Sequence, residues 1–425
     1  MIADSLAAAL DRRGFHYGWV VAATTFLTML VTAGAVGAPG VLILPLQQEF
    51  GWDTAEISGA LAVRLVLFGL VGPFAAAFMN RFGVTRVVVT ALALIATGLL
   101  LSLGMTRIWQ LVVLWGVVVG LGTGLTAMVL GATVATRWFS ASRGLVVGFL
   151  TASAATGQLV VLPLMAQATE SFGWRPALAG ICGLLAVAAL LVLALMRDRP
   201  SDLGLPAYGE TRVEPPPPPG PNVATASLAA LRDAARTRTF WILFATFFVC
   251  GASTNGLIQT HFIPLCADYG LPAVGAASVL AMMGAFDFVG TVASGWLSDR
   301  YDNRWLLFWY YGLRGFSLLA LPFTDFSFYG LSLFAVFYGL DWIATIPPTV
   351  KLTAQGFGRE RANLVFGWIF AGHQLGAATV AFAAGVSRTT LESYLPAFFA
   401  AGALCLVASA AALTLRRPRA PAVLA

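Results

Sequence analysis

Four ionised side chains lie inside long apolar runs of the sequence: Arg64, Asp287, Arg314 and Asp341. A charge held at the centre of a lipid bilayer costs about 2.5–3.5 kcal/mol, so such a residue marks a functional site by default. A guanidinium stays charged and binds a carboxylate through two parallel hydrogen bonds. Arg64 and Arg314 are therefore predicted to hold an anionic small molecule.

The two aspartates have two roles open to them. Asp287 and Asp341 either balance the arginines or carry a proton. Equally, Arg314 pairs with one of these two carboxylates and has only a structural role. Arg64 has no acidic residue at its depth in the first half of the chain, which favours a binding role for it.

Uncharged polar residues in the apolar runs complete the candidate site. His373 is suited either to relay a proton or bind the solute, or simply to pack. Asn255 and Gln259 are four residues apart and so share one face of a helix, predicted to line a cavity. Gln158 is a similar candidate.

The composition excludes a water-soluble protein. Of the 425 residues, 59% are hydrophobic and 10% are charged, whereas soluble domains have about 25% charged residues. The net charge of +6 is scattered along the chain, so no basic face for nucleic acid is expected. The four cysteines lack metal-ligand spacing, and no nucleotide or protease motif occurs, so neither a cofactor nor an enzyme activity is predicted.

The apolar runs predict twelve membrane-spanning segments. Backbone groups in lipid must bond within their own segment, so an all-α integral membrane fold is expected. The predicted spans are 17–45, 54–79, 86–105, 109–136, 143–168, 175–196, 239–267, 272–298, 304–324, 327–354, 361–387 and 391–415.

One long polar stretch, 197–238, interrupts this series and contains Pro215 to Pro219. A polyproline run is extended and forms no membrane helix. The stretch is predicted to be a cytoplasmic linker between two pseudo-symmetric six-helix bundles, 1–196 and 239–425, with a short surface helix over Ser227 to Arg238. Similar basic turns after spans two and eight indicate an internal repeat.

The distribution of arginine predicts the orientation. With the N-terminus placed in the cytoplasm, 19 arginines fall on the inside and three on the outside. Positive charge favours the cytoplasmic side, so both termini are expected in the cytoplasm of a multi-pass protein of the inner (plasma) membrane. Lys351, the single lysine, is expected to extend to the lipid headgroups. A monomer is expected.

Small residues, prolines and tryptophans predict local geometry. Gly116, Gly120 and Gly124 form a close-packing stripe. Prolines are expected to bend span one at Pro39 and Pro45, and span ten at Pro347 and Pro348. Seven tryptophans near span ends are interpreted as an aromatic belt at the membrane surface: Trp19, Trp52, Trp109, Trp138, Trp174, Trp241 and Trp305.

The turn from Gly295 to Arg304 resembles the signature of the major facilitator superfamily, Gly-x-Leu-x-Asp-Arg-x-Gly-(Arg/Lys)-(Arg/Lys). The resemblance extends over essentially the whole chain and implies the major facilitator fold. It also implies that Asp299, Arg300 and Arg81 act in gating at the cytoplasmic side. Asn80 replaces the signature aspartate in the first half.

Within that superfamily the chain looks most like the monocarboxylate and oxalate/formate porters. The pieces that carry the resemblance are Tyr17-Gly18-Trp19, Arg137-Trp138-Phe139 and Gly173-Trp174-Arg175. Asp287 matches an aspartate of those porters. Thr291 stands where they have an arginine, so the resemblance does not extend to lactate specificity.

These observations predict a secondary transporter that moves a small organic anion, a monocarboxylate-like carboxylate, by alternating access with a proton as coupling ion. The alternative is a transporter of a larger neutral or aromatic compound, for which the 30 phenylalanines are suited. A membrane sensor without transport is the third hypothesis. The predicted partners are the solute, the proton and the lipid bilayer.

Overall fold

A computed structural model describes residues 2–126, 128–213 and 223–415, apart from the side chains of a few residues within helices. Twelve long helices, α1 to α12, follow one another in the described chain. Their bounds are Gly18–Phe50, Thr54–Phe82, Val84–Ser102, Ile108–Trp138, Arg143–Phe172, Trp174–Leu195, Arg238–Asp268, Ala273–Ser298, Asn303–Phe323, Phe328–Phe357, Arg359–Leu391 and Leu395–Leu413.

The helices agree with the predicted spans to within a few residues. Eleven of them are long and apolar enough to cross a membrane. The remaining one, α5, is a 30-residue helix whose second part, Leu159–Phe172, is apolar. The described residues form no strand beyond one isolated bridge between Phe139 and Tyr208. The all-α integral membrane fold is confirmed.

Polar contacts at the helix ends define two ends of the bundle. At one end the Tyr17 hydroxyl donates to the Leu195 carbonyl at 2.7 Å, which joins the start of α1 to the end of α6. We call this the linker end. At the other, the distal end, the Arg175 guanidinium bonds Glu49 at 2.6 Å and so joins α6 to α1.

The connection between α6 and α7 is attached at both of its described ends. The Tyr208 N–H donates to the Trp138 carbonyl at 2.8 Å, so the first part lies on α4. A short linker helix, Val223–Ala234, packs on α11, where the Trp368 indole donates to the Ser227 carbonyl at 2.9 Å. The surface helix predicted over Ser227 to Arg238 thus begins four residues earlier, and Arg238 begins α7. The polyproline run lies outside the described residues.

The distal ends of the two groups of helices touch. The Ala55 N–H at the start of α2 donates to the Thr389 hydroxyl of α11 at 3.1 Å. Gly40 of α1 lies against α7, where an added Cβ would be 2.6 Å from the Gln259 carbonyl. Only a glycine allows this approach, so α1 and α7 meet near the distal end.

Two helices are interrupted where the prolines predicted a bend. In α1 the helix Gly18–Gly37 ends before Ala38 and a second piece, Pro39–Phe50, continues. In α10 the helix Phe328–Asp341 is followed by a turn and then by Ile346–Phe357. The helix runs through Pro45, and a bend there stays a prediction.

The aromatic belt is only partly confirmed. Trp109, Trp241 and Trp305 are about half exposed to the surroundings, as an interfacial anchor requires. In contrast, Trp138 and Trp174 are buried, at 0% and 4% exposure. The Trp174 indole donates to Glu49 at 2.6 Å, so this residue fixes the contact of α1 with α6 instead.

Candidate functional site

The glycine stripe of α4 positions Arg64 in α2. A Cβ added at Gly120 would lie 3.1 Å from the Arg64 Cα, and one at Gly116 would lie 3.1 Å from the Ala60 carbonyl. The absence of side chains lets the two backbones approach, as predicted for the stripe. Arg64 is thereby held deep inside the first six helices.

The Arg64 guanidinium is buried with a single hydrogen bond to the described protein. The residue is 6% exposed, and its Nη1 donates to the Val36 carbonyl at 3.0 Å. Val36 precedes the interruption of α1, where Pro39 has no N–H to contribute to the helix. No acidic side chain among the described residues forms an ion pair with Arg64, which leaves the charge uncompensated.

Arg314 of α9 has all five of its N–H groups bonded. Its Nε donates to the Asp341 carboxylate at 2.7 Å. Its Nη1 donates to Cys250 Sγ at 3.1 Å and Ser253 Oγ at 3.4 Å. Its Nη2 donates to the backbone carbonyls of Asp341 and Trp342. No donor remains for a solute in this conformation.

The side chains around Arg314 hold the interrupted part of α10 together. Asp287 of α8 accepts the Ile343 N–H at 2.9 Å, and Ser294 donates to the Ala344 carbonyl at 2.5 Å. The prolines at 347 and 348 lack the N–H groups that a continuous helix would offer to the carbonyls of 343 and 344. Ser294 therefore bonds a carbonyl that Pro348 leaves without a helical partner, while Asp287 and Arg314 bond other backbone groups of the interruption.

The expectation that Arg64 and Arg314 hold one anion between them is not met by this arrangement. The polar partners of Arg314 all belong to α7 and α10. Arg64 instead bonds α1 and borders a cavity lined by residues of α1, α3 and α4. Of the two alternatives for Arg314, the structure has the ion pair with Asp341, because the α10 interruption brings that carboxylate within 2.7 Å.

Asn255 and Gln259 lie in a π-helical stretch of α7, Ala252–Gln259. In a π-helix the bonds connect residues five apart, as the Thr260 hydroxyl also does with the Asn255 carbonyl at 2.7 Å. Because residues four apart still point in nearly the same direction in this wider turn, Asn255 and Gln259 can share a face, and their cavity-lining role stays a prediction. Asn255 is half-buried and Gln259 is 8% exposed.

His373 packs between aromatic rings. Its ring centroid lies 5.0 Å from that of Phe247 and 5.6 Å from that of Phe370, the latter in a stacked arrangement. Its Nδ1 is buried with no hydrogen-bond partner among the described residues. The packing alternative accounts for the rings, and the partnerless nitrogen leaves the proton role as a hypothesis. The side chain of Gln158 lies outside the described residues.

The turn after α8 makes an ion pair that the sequence did not predict. Asp299 bonds the ammonium group of Lys351 in α10, which also donates to the Ser298 carbonyl at 3.0 Å. Lys351 thus bonds the neighbouring turn as well as reaching the surface, which corrects its expected role as a group directed only to headgroups. Arg300 lies over the Trp296 ring at 4.1 Å.

The matching turn after α2 is built from other residues. Arg137 of α4 donates to Asn80 at 2.7 Å. Asp198, at the start of the linker, accepts the Thr85 N–H at 2.8 Å. Arg81 itself is exposed and lies over the Phe82 ring at 5.4 Å. In this turn the amide of Asn80 and the carboxylate of Asp198 thus take the place that Asp299 has in the turn after α8.

A sequence profile of the Major Facilitator Superfamily matches residues 24–381. The chain belongs to the major facilitator superfamily. The protein is therefore a membrane transporter of that superfamily and not an enzyme. The fold and the turn after α8 fit this assignment.

Relatives in the superfamily include monocarboxylate transporters. Monocarboxylate transporter 13 of Rattus norvegicus is 26% identical over 402 residues, covering 94% of this chain and 89% of that protein. An uncharacterized MFS-type transporter, YcxA, of Bacillus subtilis (strain 168) is 24% identical over 395 residues, covering 89% of this chain and 90% of that protein.

Solved structures of the superfamily share the fold of this transporter. A D-xylose-proton symporter superposes with a TM-score of 0.71 at 15% sequence identity, covering 95% of this chain and 98% of that one. A bacterial homologue of the human lysosomal transporter Spinster gives a TM-score of 0.70 at 15% sequence identity, covering 96% of this chain and 99% of that one. At such identities these similarities support the fold alone.

Several residues that build the site escaped the sequence reasoning. Ser294 and Cys250 each bond the cluster at the α10 interruption. Trp115 borders the same cavity as Arg64 and is 2% exposed. A serine or a cysteine in an apolar run has no distinctive signal. Trp115 lies in the middle of its span, unlike the tryptophans near span ends, and that position was a usable signal.

Asp299→Asn is expected to leave the thermal stability of the transporter nearly unchanged, because the pair with Lys351 is exposed and screened by solvent. Hydrogen bonding to Lys351 lowers the pKa of the Asp299 carboxyl. The contribution of the pair is thus present above the ordinary carboxyl pKa and is lost as pH falls through the lowered value. Thermal unfolding of both proteins across pH 3 to 7 checks this (about the range in which a carboxyl titrates), and a large loss at pH 7 would contradict it.

Proposed function

We propose that the chain is a secondary transporter of a small organic anion that carries a carboxylate. In this proposal two six-helix halves, 1–196 and 239–425, move relative to each other and expose a central site to each side in turn. The observation that carries the proposal is Arg64, a guanidinium buried inside the first half, which has one carbonyl partner and no acidic partner among the residues that the structure describes. A buried cation of this kind requires a counter-charge.

The relatives support the substrate class. Those named as monocarboxylate transporters cover most of this chain, and a carboxylate is the chemistry that a guanidinium binds best. Polar side chains of α7 add to the site: Asn255 and Gln259 have no side-chain hydrogen bond to the described protein. Their amides are available to a solute that enters near the contact of α1 with α7.

Asp287 is our candidate for the proton site. Its Oδ1 accepts two hydrogen bonds, from the Thr291 hydroxyl at 3.0 Å and from the Ile343 N–H at 2.9 Å, and it has no ion-pair partner among the described residues. Asp341, in contrast, is neutralised by Arg314. A buried carboxylate without a neighbouring cation has an uncompensated charge, which a bound proton would remove. Proton loss and gain at Asp287 would therefore reach the α10 interruption directly through Ile343.

Asp287→Asn is expected to uncouple transport from the proton gradient while leaving the fold intact. The asparagine Oδ1 still accepts from the Thr291 hydroxyl and the Ile343 N–H, so the bonds at the interruption survive. We expect wild-type uptake to increase with an imposed pH gradient and the variant's uptake to be independent of it. Uptake by the variant that retains the full response to the gradient would exclude Asp287 as the proton site.

The test of the function is uptake by reconstituted protein in liposomes. Radiolabelled acetate, pyruvate and a branched-chain keto acid are offered with and without a pH gradient, and empty liposomes are the control. Saturable uptake of a carboxylate supports the proposal. Uptake of a neutral or aromatic heterocycle with no carboxylate uptake would replace it by the alternative substrate class, and binding without flux would favour a sensor.

We also propose that the linker end faces the cytoplasm and that the transporter lies in the inner (plasma) membrane. The excess of arginine on that end supports this orientation. Single cysteines placed in the linker and at the distal end, in a variant without the four native cysteines, are labelled with a membrane-impermeant maleimide in intact cells. Labelling of the distal-end cysteine alone is expected, and labelling of the linker cysteine alone would reverse the orientation.

A further inference from the structure

The indole N–H of Trp115 is buried without an acceptor. Trp115 is 2% exposed, and its Nε1 has no hydrogen-bond partner among the described residues. A buried tryptophan N–H normally finds a partner, since leaving it unpaired costs about 1–3 kcal/mol. Trp115 lies in a π-helical stretch of α4, Val112–Val119, a feature that often occurs at functional sites.

Trp115 and Arg64 border one small cavity. Its volume is about 10 Å³, close to the minimum that holds one water molecule. The other lining residues are apolar: Ala35, Ala38, Pro39, Leu99 and Val119. The cavity thus brings a cation and a tryptophan together inside an apolar wall.

The donors at this cavity outnumber the acceptors. Arg64 has five N–H groups, of which the described protein accepts at Nη1 alone, through the Val36 carbonyl. Trp115 adds one more donor and no acceptor. No carboxylate lines the cavity. A cation would be repelled there and a neutral occupant would leave the charge uncompensated, so the site requires a small anion.

We propose that Arg64 and Trp115 together form a site for one monovalent anion, either a halide ion or one oxygen of a solute's carboxylate. The guanidinium supplies the charge and the indole N–H supplies a second, directional donor. A divalent oxyanion such as sulfate would bring a second negative charge that the apolar lining does not compensate. The carboxylate source rests on the proposed function, whereas the halide source does not.

This site makes Trp115 a specificity-determining residue for the anionic group. Because the walls are apolar, they strengthen the two donors by excluding water. They also offer nothing to a second charged group. Within this cavity the protein therefore recognises one monovalent group and leaves the rest of the solute to other residues.

The experiment is thermal unfolding of purified protein in detergent, titrated with sodium chloride, bromide, formate or acetate. Ionic strength is kept constant with sodium sulfate, which is also titrated alone as the divalent-anion probe, so that no second carboxylate is present. Wild type is compared with Trp115→Phe and Arg64→Gln. Trp109→Phe is the matched control, because Trp109 lies in the same helix and is 57% exposed.

We expect a saturable rise in the unfolding temperature of wild type and Trp109→Phe with the compact anions and none with sulfate. In Trp115→Phe the anion should bind at least about tenfold more weakly, since a hydrogen bond to a charged group is lost. In Arg64→Gln the response should disappear. Chloride and bromide acting alone would identify a halide, and formate or acetate acting as well would identify the carboxylate.

The proposal is overturned if wild type shows no saturable response, if sulfate acts as well as chloride, or if Trp115→Phe responds like wild type. Where a variant does not fold, the wild-type titration with the four compact anions and sulfate decides alone. This readout is independent of transport. A saturable anion response in a protein that moves no carboxylate would remove the proposed function and leave the anion site in place.

Discussion

Replacing Arg64 with glutamine is expected to raise the carboxylate concentration needed for half-maximal uptake by at least about 30-fold, or to abolish uptake. Removing a buried charged partner costs about 2–5 kcal/mol, and each tenfold in affinity corresponds to about 1.4 kcal/mol. Glutamine keeps one donor for the Val36 carbonyl but has no charge for the anion. Initial uptake rates in liposomes, measured over a range of substrate concentrations, give this quantity.

Two further variants make the result specific. Arg107→Gln removes an exposed arginine near the distal end and should behave as wild type. Arg64→Lys keeps the charge but loses the planar pair of donors, so an intermediate affinity is expected. If Arg64→Gln, folded to the same thermal stability, transports a carboxylate with unchanged affinity, Arg64 does not bind the anion.

Replacing Asp341 with alanine is expected to destabilise the protein by about 3–5 kcal/mol, because it leaves the Arg314 charge buried and unpaired. Both partners are out of contact with solvent, with side-chain exposures of 0% for Arg314 and 8% for Asp341. The loss is measured as a fall in the unfolding temperature in detergent. An exposed pair serves as control: Asp233→Asn breaks the contact of Arg361 with the linker helix, and little change is expected.

A double replacement separates the contribution of the ion pair to stability from that of the hydrogen bonds between Arg314 and the backbone of α10. In many proteins two apolar residues replace a buried ion pair without loss. Here Arg314 also donates to the carbonyls of Asp341 and Trp342 at the α10 interruption. Arg314→Met with Asp341→Leu is therefore expected to remain less stable than wild type. Full recovery of the unfolding temperature would show that the bonds to the interruption contribute nothing.

The side chains that bond the α10 interruption contribute to stability and, in our proposal, also to proton coupling. Asp287 and Ser294 of α8 and Arg314 of α9 hold the interruption in α10. The linker-end piece of the same helix carries Lys351, which bonds the turn after α8. A change of charge at Asp287 would therefore act on the segment between the two pieces of α10. In our proposal this is how proton binding is coupled to movement of the linker end.

The π-helical stretches of α4 and α7 are a feature that the sequence did not predict. Asn255 and Gln259 were assigned to one face on the assumption of an α-helix, and the wider turn in α7 still leaves residues four apart close to one face. The corresponding stretch of α4 carries Trp115. Whether a turn closes on the fourth or the fifth residue is decided by packing against neighbouring helices, which no local pattern records.

The sequence by itself determined the twelve helices, their limits to within a few residues and the superfamily. The physical reason is that lipid allows no unpaired backbone, so hydropathy alone fixes each span. It also located Arg64, Asp287, Arg314 and Asp341, because an ionised residue stands out in an apolar run, but it did not show that Arg304, at the start of α9, is buried. The polyproline stretch and the internal repeat indicated two halves, an organisation that we keep as a proposal.

Only the tertiary structure decided which of these groups meet. The sequence left Arg314 with two acidic partners, and the interruption of α10 brought Asp341 and two carbonyls to it. The sequence reasoning placed Arg64 and Arg314 in one site. In the structure, the packing of α2 on α4 holds Arg64 in the first half, beside Trp115. Contacts between residues far apart in the chain depend on helix rotation and close approach. A buried charge is visible in one segment alone, but its partner is chosen by the whole bundle.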